Sequence, residues 1–216
     1  MKDYYTMLVN MENRPCLVIG GGKVAERKIH RLLQSKAKVT VISPSVTEQI
    51  HKLVEKQQII WLEREYQKGD MKGFFLIIIA TDQTEVNQRI YQEVNHQVQL
   101  VNVVDAPELC TFLVPSTVTR GHLQISISTH GASPGLAKKI RQEIEQTYGE
   151  EYEIYTRFLA EMREWILKQD LDQSTRQYYF AKMLADEVFK RIRKGEFIRI
   201  MEELKQEIIQ KRDVLQ

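Results

Sequence analysis

Cysteine is nearly absent from this chain of 216 residues: Cys16 and Cys110 are the only two, far apart and outside any C-x-x-C pair. That excludes a disulfide framework and a cysteine-ligated zinc site, and both thiols are expected to be buried or inert. Long apolar runs are missing as well. The longest, FFLIIIA at Phe74 to Ala80, is far short of the roughly 20 residues of a membrane span and reads as a buried strand. The N-terminal MKDYYTMLVNMENRP breaks its apolar positions with charge, so it lacks the hydrophobic region of a secretory signal, and a cytoplasmic location is expected. A net excess of charge is missing too, with 31 Lys and Arg against 29 Asp and Glu. A formal net charge of +2 is too small to imply nucleic-acid binding, so an anionic ligand needs a local cluster of cations. There is no convincing internal repeat and no low-complexity segment. With 43% hydrophobic content, the chain can nevertheless bury a sizeable core, divided between domains.

From Pro15 to about Val104, short β-rich runs alternate with amphipathic helical stretches, the pattern of βαβ units on a parallel sheet. CLVIG is the first strand. KVAERKIHRLLQSK then places Ala25, Ile29, Leu32 and Leu33 on one helical stripe. Val39 to Ile42 is the second strand, followed by a helix from about Ser45 to Lys56, an IIWL strand, FFLIIIA, a helix from Glu85 to Asn95 and the strand LVNVV. After Asp105 the pattern changes. HLQISIST alternates Leu123, Ile125 and Ile127 with polar residues, as a half-buried strand does, and no crossover helix precedes it, so it leaves the parallel sheet. Ser133 as N-cap and Pro134 at the first helical position open a helix striped by Leu136, Ile140 and Ile144. Beyond Gly149 three charged helices are expected. Their apolar stripes are Tyr152, Tyr155, Leu159, Met162 and Ile166, then Phe180, Leu184 and Val188, then Phe197, Met201, Leu204 and Ile208.

The stretch VIGGGKVAERK follows a strand and opens a helix, so Gly20, Gly22 and Ala25 fit G-x-G-x-x-A. The first glycine permits the tight turn, the second a close approach of a pyrophosphate, and the small third residue close packing of helix on strand. Amides at the helix N-terminus favour the phosphates. The fingerprint's acid, about 20 residues on, is missing: Ser43, Pro44 and Ser45 stand there. A serine hydroxyl or a backbone group can still bond the ribose. No arginine follows the strand closely to meet a 2′-phosphate, which favours NAD over NADP.

VIGGGKVAERK, KVTVISP, IIIATD, NQRIY, LVNVVDAPELCTFLVPS and SISTHGASPGLAKKIR together resemble, in order and spacing from about Met7 to Gly149, the precorrin-2 dehydrogenase and sirohydrochlorin ferrochelatase family. In length the chain is similar to a stand-alone member without the methyltransferase half. The resemblance implies NAD-dependent oxidation of precorrin-2 to sirohydrochlorin in sirohaem biosynthesis, by a homodimer that exchanges strands in its central region. The expected fold is α/β, with a Rossmann-type NAD-binding domain at 1–113, a central dimerisation segment at 114–148 and a helical domain at 149–216.

Carried onto this chain, the resemblance assigns NAD contacts to Gly20, Gly21, Gly22, Lys23 and Val24 and to Ser43, Pro44 and Ser45. Thr81 and Asp82 join them because they end a strand at the carboxyl edge of the sheet, where a cofactor passes. The family's catalytic acid falls on Asp105. Chemistry agrees, since oxidising a reduced tetrapyrrole releases a proton that a positioned carboxylate can take; pattern alone favours the other reading, Asp105 as the cap of the turn Ala106-Pro107-Glu108, and the resemblance tips the balance to catalysis. Thr129 and His130 stand where relatives often have serine. Thr129 offers a hydroxyl and His130 a group that titrates near neutral pH, with a plain loop histidine as the alternative. The many carboxylates of precorrin-2 need cations, and Arg120, His122, Lys138, Lys139 and Arg141 gather around the central strand and the Ser133 helix. No metal ligands of recognisable spacing are found, and His122 and His130 are too far apart along one strand to share an ion.

Two other functions stay open. One is an enzyme that also, or mainly, inserts ferrous or cobaltous ion into sirohydrochlorin, with Asp105 or His130 stripping pyrrole protons. The other is a non-enzymatic redox sensor in which an NAD-binding domain reports to a helical module; the last helices mix Glu, Lys and Arg without a one-signed face, which argues against a DNA output.

Overall fold

Five short runs of β-branched and apolar residues build one parallel sheet: β1 (Pro15–Ile19), β2 (Lys38–Ile42), β3 (Ile60–Leu62), β4 (Leu76–Ile79) and β5 (Leu100–Val103), in the order β3-β2-β1-β4-β5. The computed structural model describes residues 4–94 and 100–215. Two compact units divide the chain, residues 1–114 and residues 115–216.

In the first unit both faces of the sheet are covered, so its strands are apolar throughout instead of alternating. Cys16 and Val18 point to one face, where they meet Ala25, Ile29 and Leu32 of α1 (Lys23–Gln34) and Ile50 of α2 (Glu48–Glu55). Leu17 and Ile19 point to the other, against Ile77, Ile79 and Ile90 of α3 (Thr84–Gln92). The register aligns Ile19 with Ile42 and with Ile79, and Ile79 with Val103. The segments that follow β1, β2, β4 and β5 therefore leave the sheet side by side at its carboxyl edge. The strand order reverses between β1 and β4, and that switch point is where an open α/β sheet has its crevice.

Local chemistry sets the boundaries. The helix expected from about Ser45 begins at Glu48, because the Thr47 hydroxyl caps it by accepting from Ile50 N at 3.3 Å. Residues 43–47 are held as a loop, with the Ser43 hydroxyl donating to the Ser45 carbonyl at 2.7 Å and Thr47 N to the Gly21 carbonyl at 2.9 Å. α3 starts one residue before the expected Glu85, and its expected end at Asn95 lies outside the described residues. Between β3 and β4 a long loop is fastened by Arg64, which donates to both carboxylate oxygens of Asp70 at 2.7 and 2.9 Å. That guanidinium holds the Asp70 carboxyl below its ordinary range.

In the second unit β6 (Ser116–Arg120) and β7 (Leu123–Ile127) form an antiparallel hairpin. Only the second of these was expected. STVTR carries threonine and arginine where an alternating apolar pattern would place core residues, and cross-strand pairing makes it a strand. Gly121 turns the hairpin at φ +58°, where an added Cβ would lie 2.9 Å from the Thr156 hydroxyl. α4 (Pro134–Thr147) is capped by Ser133, as read from the sequence. Among the described residues four helices follow where three were expected: α5 (Glu151–Leu167), α6 (Gln173–Met183), α7 (Asp186–Arg193) and α8 (Phe197–Leu215). The stripe Phe180, Leu184, Val188 joins two helices with different phases. Leu184 lies at the break and is 62% exposed, while Tyr179 and Met183 of α6 and Ile192 of α7 fill the core with Phe158, Met162 and Leu204.

Both cysteines are buried, and neither is in a disulfide. Burial pushes the Cys16 thiol up to about 11, so it carries almost no thiolate at neutral pH. Native protein is therefore expected to resist a thiol reagent such as Ellman's reagent, with both cysteines reacting once denaturant is added; fast native labelling would contradict the burial. Ile77→Ala, at a fully buried position in β4, is expected to cost about 2–5 kcal/mol in chemical denaturation.

Candidate active site

The glycine turn closes the carboxyl edge of β1. Gly20 has φ +114°, and an added Cβ would lie 2.4 Å from the Ala80 carbonyl oxygen. A Cβ on Gly21 would lie 2.0 Å from the Ser45 carbonyl oxygen. Both positions are therefore closed to a side chain by neighbouring backbone. Gly22 differs, since an added Cβ would meet nothing within 4 Å. It is the N-cap of α1 with extended backbone, and no side chain caps the helix there. The first-turn amides of α1 thus face open space at the positive end of the helix dipole, a ready site for an anion. The one acid in that turn, Glu26, is turned aside: it accepts from the Thr47 hydroxyl at 2.6 Å and from Lys23 at 3.3 Å. The Thr47 bond leads in holding its carboxyl below the ordinary range.

A cavity of about 730 Å³ runs from this turn along the sheet edge, within the range of small-molecule sites. The Ser43–Thr47 loop forms one wall. Ser43 is buried, and its carbonyl accepts from Trp61 Nε1 at 2.9 Å. Opposite, after β4, Thr81 is held by the buried Asn87. The Thr81 hydroxyl donates to Asn87 Oδ1 at 2.5 Å, and Asn87 Nδ2 returns a bond to the Thr81 carbonyl at 3.1 Å.

Asp105 lines the same cavity beyond β5, exposed and at φ +61°. A left-handed aspartate is tolerated where surrounding structure fixes it. Here the chain beyond it folds back onto β5. Thr111 N donates to the Val101 carbonyl at 2.9 Å, and Val101 N to the Thr111 hydroxyl at 2.8 Å. Asn102 Nδ2 donates to the Phe112 carbonyl at 3.2 Å and Val103 N to Cys110 Sγ at 3.3 Å. Cys110 is thus a packing and hydrogen-bonding residue beneath the Asp105 turn.

Gly20, Gly21, Gly22, Lys23, Val24, Ser43, Pro44, Ser45, Thr81 and Asp82 all line this cavity together with Asp105. Every lining residue comes from the first unit. Thr129, His130, Arg120, His122, Lys138, Lys139 and Arg141 belong to the second. There the Thr129 hydroxyl accepts from Ser133 N at 3.0 Å, ahead of α4, and His130 has φ +51°. Arg120 donates to the Thr119 carbonyl at 3.0 Å and Arg141 pairs with Glu145 one turn along α4, while Lys138 and Lys139 are exposed. Sequence reading missed Glu65, Tyr66, Gln83, Val86 and Arg89 of the cavity wall. Tyr66 stands on the long loop, its hydroxyl donating to Glu93 at 2.9 Å. Val86 and Arg89 belong to the stretch that contains NQRIY, a motif noted for resemblance but given no role.

A family model for NAD(P)-binding proteins matches residues 7–116, and one for the central segment of sirohaem biosynthesis proteins matches residues 120–147. The siroheme synthase of Ruthia magnifica subsp. Calyptogena magnifica is 35% identical over 191 residues, 87% of this chain and 40% of that protein. That of Photobacterium profundum is 39% identical over 143 residues, 66% of this chain and 30% of the relative. This chain thus spans at most about 40% of the length of these two relatives. The solved structure of SirC, precorrin-2 dehydrogenase, is similar with a TM-score of 0.81 at 29% identity, covering 93% of this chain and 100% of that one.

The glycines separate packing from ligand approach. Gly22→Ala is expected to keep wild-type thermal stability and to weaken NADH binding in a fluorescence titration. Gly21→Ala is expected to lower thermal stability as well, because its methyl group must displace the Ser45 backbone. Equal stability loss in both variants would contradict the distinction.

Proposed function

The chain belongs to the NAD(P)-binding family that includes sirohaem-biosynthesis proteins, and from that premise we propose that it oxidises precorrin-2 to sirohydrochlorin with NAD. The observation that carries the reading is the single cavity shared by the glycine turn and Asp105. The reaction converts precorrin-2 and NAD⁺ to sirohydrochlorin, NADH and a proton. Bound NAD supplies the hydride acceptor.

The chain's own groups do the rest. Gly22 and the uncapped amides of α1 fit a pyrophosphate, and Gly20, Gly21, Lys23 and Val24 shape the turn around it. The exposed Ser45 hydroxyl and the backbone of Ser43 and Pro44 hold the adenosine ribose. No cation stands in Ser43–Thr47, which supports NAD over NADP. Thr81 and Asp82 border the path towards β5, where the Asp105 carboxylate accepts the proton released as the tetrapyrrole is oxidised. Thr129 and His130 complete the catalytic set, and Arg120, His122, Lys138, Lys139 and Arg141 bind substrate carboxylates, in a homodimer whose segment 114–148 pairs across subunits between domains 1–113 and 149–216. A cytoplasmic setting accords with use of the NAD pool. Among the described residues no helix is long and apolar enough to cross a membrane.

Asp105→Asn tests the base. Asparagine also tolerates the left-handed backbone, so the variant removes the charge and keeps the turn. Turnover is expected to fall about 10² to 10⁴-fold with NADH affinity intact, and unchanged turnover would remove Asp105 from the chemistry. The same carboxylate could strip pyrrole protons for metal insertion. Enzyme-dependent incorporation of ferrous or cobaltous ion into sirohydrochlorin without NAD, lost in Asp105→Asn, would establish that second activity.

A further inference from the structure

We infer that Arg89 is a specificity-determining residue that grips a carboxylate of the tetrapyrrole at the β4–β5 end of the cavity; this rests on the dehydrogenase reading of the same site. Arg89 stands on α3, the helix that follows β4. Asn87 and Ile90 are buried and fix which face of α3 turns to the sheet. Val86 and Arg89, three residues apart and hence on one face, both line the cavity. The paired bonds between Asn87 and Thr81 tie the start of α3 to the cavity wall, so the guanidinium is carried on a fixed support.

Charge points to its ligand. Lys23 and Arg89 are the cations among the lining residues. Lys23 sits at the glycine turn and pairs with Glu26. Arg89 is exposed and has an obvious structural partner in Glu85 one turn earlier, yet among the described residues no ion pair joins them. Its planar fork suits a carboxylate held by two parallel bonds. The α1 amides that would hold a pyrophosphate begin at the end of β1, whereas α3 connects β4 to β5, one strand further along the sheet. The nicotinamide end is uncharged when reduced and positive when oxidised, so it gives an arginine no anion to hold. Precorrin-2 and sirohydrochlorin carry carboxylates around the ring, and one gripped by Arg89 draws the macrocycle towards the wall on which Asp105 stands.

The test uses the full chain with Arg89→Gln and Arg89→Lys, titrated with sirohydrochlorin in the presence of NAD and followed by tryptophan quenching. Arg89→Gln is expected to weaken sirohydrochlorin binding about tenfold or more, with partial recovery in Arg89→Lys. NADH affinity and thermal midpoint are expected to match wild type. Unchanged sirohydrochlorin affinity overturns the inference. So does a matching loss of NADH affinity, which would place Arg89 on the cofactor, or a lowered midpoint with both affinities intact, which would leave it as a charge at the end of α3. Failure of the wild type to form NADH from precorrin-2 overturns the dehydrogenase reading separately, and the titration still decides what Arg89 holds.

Discussion

Close approach of backbone to backbone at the carboxyl edge of the sheet governs this site. The turn after β1 lies against the segment after β4 at Gly20 and against the segment after β2 at Gly21, with no room for a Cβ at either place. Because the strands end in register, the loops arrive together, and because the first two glycines let them touch, α1 starts with its amides facing open space at Gly22. Thr47 ties the arrangement twice, through its amide to Gly21 and through its hydroxyl to Glu26. The cavity is a consequence of this packing before it is a property of any one side chain.

The same logic reaches Asp105 from the other end of the edge. β5 does not run on into a helix. The chain turns back at a left-handed aspartate and is stitched to the strand by Thr111, Asn102 and Cys110. Lys28 of α1 adds a bond to Asn102 Oδ1 at 3.3 Å, and burial lowers its pKa. One helix thus carries amides that fit the cofactor at its start and, a turn later, supports the strand that presents Asp105.

Much of the first unit was legible because its signals are local. Apolar runs named the strands, and Ala25, Ile29 and Leu32 marked the buried face of α1 without ambiguity. The glycine turn, the Ser43–Ser45 segment, Thr81, Asp82 and Asp105 were found as separate stretches, and the structure brings them to one cavity. What stayed hidden depends on partners distant in sequence. STVTR is a strand because it pairs with LQISI, and the closure of Gly21 is visible only once Ser45 lies against it. The apolar stripe of the second tail helix misled because periodicity carries no mark of the break at Leu184. Arg89 escaped for the opposite reason, since an exposed polar residue on a helix looks alike whether it faces bulk water or a ligand; Tyr66 escaped because its place, half-buried against the core with its hydroxyl on Glu93, depends on a long loop without periodicity.

The proposed reaction is a single redox event in which substrate and cofactor share one cavity. Anaerobic incubation of the purified chain with precorrin-2 and NAD⁺, with NADH and sirohydrochlorin both quantified, tests it directly. One NADH is expected for each sirohydrochlorin formed, and neither product without the protein. Sirohydrochlorin formed without NAD⁺, or NADH binding with no conversion of precorrin-2, would contradict that reaction.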